Sequence, residues 1–166
     1  MAEAALKDLP ADKAARYEVL RGEIGAVIAG EPNVVARYAT VASLLAQAFA
    51  PRFFWCGFYV VDPDKPGELV VGPYQGTLGC LRIPLGKGVC GAAAARRVTL
   101  VVPDVDAFPG HIACDSRSKS EIVTCVFDRI GALAAVLDVD STDIDAFDAV
   151  DQAGLEAICA DLLTRA

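Results

Sequence analysis

Two early stretches of the chain place apolar residues at the three-and-four spacing of a helix face. Tyr17, Leu20, Ile24, Val27 and Ile28 recur this way after Asp12, and Val34, Tyr38, Val41, Leu45 and Phe49 after Asn33. Gly30 and Pro32 separate the two predicted helices. The period then shortens: residues 53–61 (FFWCGFYVV), 68–74 (ELVVGPY) and 80–85 (CLRIPL) read as strands, the first pair joined by the turn-rich DPDKPG, and together they predict an antiparallel meander. The Ala-rich segment from Cys90 to Arg96 follows a Gly and reads as a short helix, after which TLVVPDV (99–105) supplies another strand. Two further apolar segments, 121–128 and 132–140, meet at a tight Asp-Arg-Ile-Gly turn, and Ser141 or Thr142 is the predicted cap of a last helix reaching about Leu163. Helices at both ends of a mainly antiparallel sheet of about six strands, packed on one face of it, make an α+β domain.

Composition narrows the setting. At 166 residues the chain fits one domain, 1–166, with no repeat, low-complexity tract or linker. A 54% hydrophobic content with only 22% charged residues excludes disorder, yet no apolar run reaches the roughly 18 to 20 residues that cross a bilayer. The N-terminal MAEAALKDLPADKAARYEVL has acids among its first residues and no basic lead into an apolar core, so no export signal is expected and the cytoplasm is the default compartment. Thiols stay reduced there, and six cysteines then imply reactive, metal-binding or buried groups more than a disulfide framework. A net charge of −7 opposes phosphate backbones and anionic lipid, so neither nucleic acid nor membrane is an expected partner. The ligand should be neutral or carry a cationic group.

Candidate chemistry gathers around three cysteines. Cys80 and Cys90 bracket the Gly-rich GCLRIPLGKGVCG, and Cys114 lies in the loop from Pro103 to Ser120. That loop exceeds the length of about 12 to 15 residues beyond which a connection is commonly functional or disordered. It also carries the only His of the chain, His111, with Asp115 and Lys119 near Cys114. A nearby cation would favour the thiolate and a carboxylate would oppose it. Zinc is disfavoured, because the cysteines lie singly along the chain and only one His is available, so no metal and no cofactor is expected. LGKGVCG lacks P-loop spacing and reads as a turn feeding a helix, whose N-terminus would bias a thiol toward thiolate. Cys56, Cys125 and Cys159 lie in apolar phrases and fit buried thiols.

GPYQGTLGCLRIPLGKGVCG, VVPDVDAFPGHIACDSRSKSEIV and GALAAVLDVDS, with FWCGFYVVD upstream, resemble the free methionine-(R)-sulfoxide reductases, which are built on a GAF domain. The resemblance covers about Phe54 to Ser141 and implies a single GAF domain. It implies that Cys114 is the nucleophile, passing through a sulfenic acid, and that Cys80 or Cys90 resolves it as a disulfide that thioredoxin reduces. It implies free methionine (R)-sulfoxide as substrate and is compatible with a homodimer.

Such a substrate carries an ammonium, a carboxylate, a short apolar stem and a polar S=O. Trp55, Gly57 and Tyr59 share one strand face by alternation, as do Asp138 and Asp140, while Glu121 opens its strand just after the Cys114 loop. By resemblance Trp55 and Tyr59 form the apolar wall, and Glu121, Asp138 and Asp140 bind the ammonium and activate the sulfoxide. Any of the three acids could supply the proton, since clustered carboxylates raise one another's pKa. His111 either shapes the loop or meets substrate. Without the resemblance, Trp55 reads as core and the acids as strand ends. The alternative function is a non-catalytic GAF sensory or small-molecule-binding module using the same pocket.

Overall fold

A computed structural model of the chain describes Leu6 and residues 8–164; the first residues of the N-terminal stretch read above for an export signal, and the last two of the 1–166 domain, lie outside the described residues. The elements are α1 (Lys13–Val27), α2 (Val34–Ala48), β1 (Trp55–Val61), β2 (Glu68–Gln75), β3 (Arg82–Pro84), α3 (Gly88–Arg96), β4 (Leu100–Val102), β5 (Ser120–Phe127), β6 (Leu133–Ser141) and α4 (Ala149–Leu162). The six strands form one antiparallel sheet in the order β3-β2-β1-β6-β5-β4. Helix starts follow from side-chain caps: Asp12 accepts from the Ala15 amide at 2.8 Å and Asn33 from the Ala36 amide at 3.0 Å. None of the described helices is long and apolar enough to cross a membrane.

One expectation is corrected. Ser141 does not cap the last helix; it is the final residue of β6, paired with Ser120. A turn through residues 143–147 follows, with Asp145 at a φ of 54°, and the cap is Asp148. Asp148 and Asp151 form a reciprocal capping box. Asp151 is fully buried there, held by Lys13 at 2.7 Å, Arg52 at 2.8 Å and the Tyr17 hydroxyl at 3.0 Å, which ties α4 to α1 and to the chain before β1.

The sheet has a core on each face. Helices α2 and α4 cover one, with α1 packed on both, and there Leu20, Leu45, Phe58, Leu137 and Leu155 are sealed from solvent and Tyr38 stacks on Phe58 at 4.3 Å. Each such side chain contributes about 1.5–3 kcal/mol of transfer free energy. The other face carries α3 and long loops over Trp55, Tyr59, Leu69, Val123 and Val136. Central strands buried on both sides read as nearly continuous apolar runs. In β6 the alternation still separates Ala135, Leu137 and Val139, toward the helices, from Val136 on the second face. Asp138 and Asp140 continue the Val136 row, so acids stand where the pattern calls for apolar residues.

Candidate active site

The site lies on that second face, where register aligns its floor. Trp55 pairs with Asp140, which pairs with Glu121; one step along, Gly57 pairs with Asp138, which pairs with Val123. Three carboxylates from two adjacent strands are thereby brought to one patch. Gly57 is a steric requirement: a Cβ there would lie 2.2 Å from Tyr74 Cβ and 2.9 Å from Trp55 Cη2. The gap it leaves lets the Trp55 ring stack between Tyr59 and Tyr74, at centroid distances of 5.6 and 5.1 Å. The indole N–H donates to Thr77 O at 2.9 Å, satisfying its one polar group.

Burial dominates the electrostatics of the floor. It pushes the Glu121 carboxyl well above the usual carboxylate range, aided by the charges of Asp138 and Asp140, and it pushes Asp138 up strongly with help from Asp140. Asp140 rises to about 7, chiefly by burial and against a Ser118 hydrogen bond that favours the charged form. Asp138 Oδ1 is buried without a hydrogen-bond partner. His111 Nε2 stands 3.7 Å from Glu121 Oε2, but burial lowers the imidazole pKa and raises that of Glu121, and both shifts oppose an ion pair there.

Cys114 and Cys80 close the mouth as a disulfide with a Cα separation of 5.4 Å, within the range usual for a bridge. Cys80 is half-buried and Cys114 exposed, and the Tyr59 hydroxyl lies 4.0 Å from Cys114 Sγ. Beneath them is a cavity with about 30 Å³ open to the centre of a water molecule, bounded by Trp55, Tyr59, Cys90, Glu121, Asp138 and Asp140. Cys90 departs from the thiolate bias expected of a helix N-terminus. It lies inside α3 with 3% exposure, its Sγ 3.8 Å from Glu121 Oε1, and burial together with the Asp138 and Glu121 charges pushes its thiol far up. Gly91 explains the packing, because a Cβ there would meet Pro84 O at 2.3 Å; α3 sits tightly on β3 and buries the cysteine beside it.

A cleft that combines a disulfide at its mouth with buried acids and an aromatic wall is suited to thiol redox chemistry on a small molecule that carries a cationic group. Comparison with known proteins bears on that directly. No family model matches the chain. It is 42% identical over 132 residues to the free methionine-R-sulfoxide reductase of Saccharomyces cerevisiae, covering 78% of this chain and 73% of that one. It is 40% identical over 146 residues to the Escherichia coli protein of the same name, covering 88% and 86%. The solved structure of free methionine-R-sulfoxide reductase from Neisseria meningitidis in complex with its substrate superposes with a TM-score of 0.91 at 46% identity, over 97% of this chain and 94% of that one. The chain belongs to the free methionine-R-sulfoxide reductase family.

In this member of the free methionine-R-sulfoxide reductases, the structure brings Trp55, Tyr59, Cys90, Cys114, Glu121, Asp138 and Asp140 around one cavity, with Cys80 bonded above it. Cys56 and Cys159 are sealed in the opposite core. Cys125 shares the site's face of the sheet but is covered by α3, its Sγ 3.5 Å from Ala93 O, and burial raises its thiol to about 11. Sequence reasoning missed the latch on the Cys114 loop. Thr77 donates to Asp115 Oδ2 at 2.8 Å, and Arg117 grips the same carboxylate with bonds of 3.0 and 2.8 Å while lying over the Phe54 ring. Those bonds hold Asp115 well below the usual carboxylate range. The available signal was an Asp two residues before an Arg in a loop, an arrangement that favours a local Asx turn.

Proposed function

We propose that this chain reduces free methionine (R)-sulfoxide to methionine with Cys114 as nucleophile and Cys80 as resolving cysteine. The observation that carries the reading is the Cys80–Cys114 disulfide at the mouth of a cavity floored by three acids. The Cys114 thiolate attacks the sulfoxide sulfur; the oxygen passes to Cys114 Sγ and takes up a proton, and methionine leaves as the thioether. The enzyme sulfur is oxidised to a sulfenic acid as the substrate sulfur is reduced. Cys80 then attacks Cys114 Sγ, the hydroxyl leaves as water, and an external dithiol, thioredoxin in the cytoplasm, reduces the disulfide by exchange.

The acids divide their work by charge. Asp140, whose bond from Ser118 favours the carboxylate, ionises before the others and faces the substrate ammonium. Glu121 and Asp138 retain a proton that hydrogen-bonds the sulfoxide oxygen and passes to it as the S–O bond breaks. A peptide-bound residue lacks the ammonium and would leave Asp140 unpaired, which supports selectivity for the free amino acid. Trp55 and Tyr59 wall the thioether stem.

Methionine release from each sulfoxide epimer, with thioredoxin as reductant, tests the proposal in wild type, Cys114→Ser and Cys80→Ser. The R epimer alone should turn over, Cys114→Ser should be inactive, and Cys80→Ser should make about one methionine per chain in a first turnover. Activity in Cys114→Ser removes the nucleophile assignment. Failure of wild type to turn over either epimer favours the sensory reading.

A further inference from the structure

Cys90 takes no part in the disulfide, yet its thiol is placed at the bottom of the cavity beside two of the acids. One ligand atom each from Cys90, Glu121 and Asp138 fall within 4.8 Å of one another, and all three residues are buried. We propose that these three side chains form a binding site for a borderline-soft divalent cation, zinc above all, at the floor of the cavity.

The geometry is close to what the ion requires. Zn–S of about 2.3 Å and Zn–O of about 2.1 Å in a tetrahedron put sulfur and oxygen ligands about 3.6 Å apart. Cys90 Sγ and Glu121 Oε1 are 3.8 Å apart already. Asp138 adds a second sign: it is 6% exposed, its Oδ1 has no geometric hydrogen-bond partner, and the polar side chains beside it are Cys90 and Glu121, the other two ligands, so the buried carboxyl is costly unless a proton or a cation meets it. The ligands come from α3, β5 and β6, three elements packed on one another, so the set is held by the fold and not by a mobile segment. His111 Nε2, on the Cys114 loop, stands 3.7 Å from Glu121 Oε2 and lies outside the three-ligand group.

Charge and softness point the same way. No Lys or Arg lines the cavity among the described residues, so nothing there competes with a cation for the acids. Sulfur in the set favours zinc over magnesium or calcium, which take oxygen ligands, and the Cys90 thiol releases its proton as the ion binds. Chain spacing hides the site, because the three ligands are dispersed singly over residues 90–138 and match no zinc motif. Occupancy would take the Glu121 and Asp138 carboxyls that donate to the sulfoxide oxygen and so inhibit turnover; that consequence rests on the proposed reductase reading, whereas the binding itself does not.

The disulfide form of the protein gives a clean test, because Cys80 and Cys114 cannot then ligate. Chelator-treated, desalted protein is titrated with Zn2+ against a chromophoric indicator, and with Co2+ for a thiolate-to-cobalt charge-transfer band. Wild type should bind one equivalent of Zn2+, resist excess Mg2+, and show the band. Cys90→Ala should lose the band and bind Zn2+ about tenfold or more weaker, Asp138→Asn should also weaken it, and Cys125→Ala should match wild type. Trp55 fluorescence checks that each variant is folded, and the wild-type cobalt spectrum stands without any variant. No Zn2+ binding by wild type at millimolar metal, no charge-transfer band, or a band and affinity unchanged in Cys90→Ala, overturns the proposal.

Discussion

Replacing Asp140 by Asn should make this protein more stable above neutral pH. Burial raises the Asp140 carboxyl from 3.8 to about 7, so between those values the folded chain holds a proton that the unfolded chain has released. With the native state binding about one proton more, unfolding free energy falls by about 1.36 kcal/mol per pH unit across that window. The sign follows directly. This group's contribution is fully present below 3.8 and is lost as pH rises through about 7. Three pH units at that slope come to about 4 kcal/mol, and partial access of water to Asp140 and its coupling to Glu121 and Asp138 reduce this to about 2–4 kcal/mol. Asn cannot ionise, so it should remove the penalty: a gain of about 2–4 kcal/mol at pH 8 and little change near pH 4. Urea denaturation of the disulfide form, followed through Trp55, the single Trp of the chain and 4% exposed, gives both curves. Loss of methionine release should accompany the gain, as expected where an ionisable group is kept for function at a cost in stability. A variant no more stable than wild type at pH 8, or a wild-type stability that rises from pH 5 to pH 8, would refute the argument.

Three other substitutions separate the parts of the site. Gly57→Ala places a methyl 2.2 Å from Tyr74 Cβ; overpacking should cost about 1–3 kcal/mol, shift the Trp55 emission and lower kcat/KM for the sulfoxide by about tenfold, and a wild-type spectrum and rate would show that the ring has room. Thr77→Val removes the hydroxyl that holds Asp115 at 2.8 Å, and a loss of about 1 kcal/mol of loop positioning should slow Cys80–Cys114 bond formation about fivefold, read by mass spectrometry of quenched samples. An unchanged rate would mean that Arg117 alone holds the loop. Leu155→Ala empties a fully buried position on the helical face, across the sheet from the cavity, and should cost about 2–5 kcal/mol in urea while activity per folded molecule stays at the wild-type level.

Much of the architecture was legible because apolar periodicity depends on which face of an element is buried. The spacing of Tyr17, Leu20 and Ile24, and of Val41 and Leu45, marks residues that pack in the helix-side core. The end of β6 was misread for a local reason: Ser141 and Thr142 have cap chemistry, but pairing with Ser120 draws Ser141 into the sheet and leaves the cap to Asp148. Cys90 was misread for a tertiary one. Its place at the start of a helix suggests a thiolate, whereas α3 is packed against the sheet and closes over the thiol, which burial keeps protonated.

By itself the sequence determined the period of each element, the acids at core-facing positions of β6, and the set of thiols, because these depend on residue type and order alone. Pairing was settled only by the tertiary structure. Cys80 and Cys90 lie 34 and 24 residues from Cys114, separations that chain statistics do not tell apart. The fold brings the Cys80 and Cys114 Cα atoms to 5.4 Å over the cavity and turns Cys90 inward to the acids, since contact between distant segments is set by how β2, α3 and the Cys114 loop pack on one sheet.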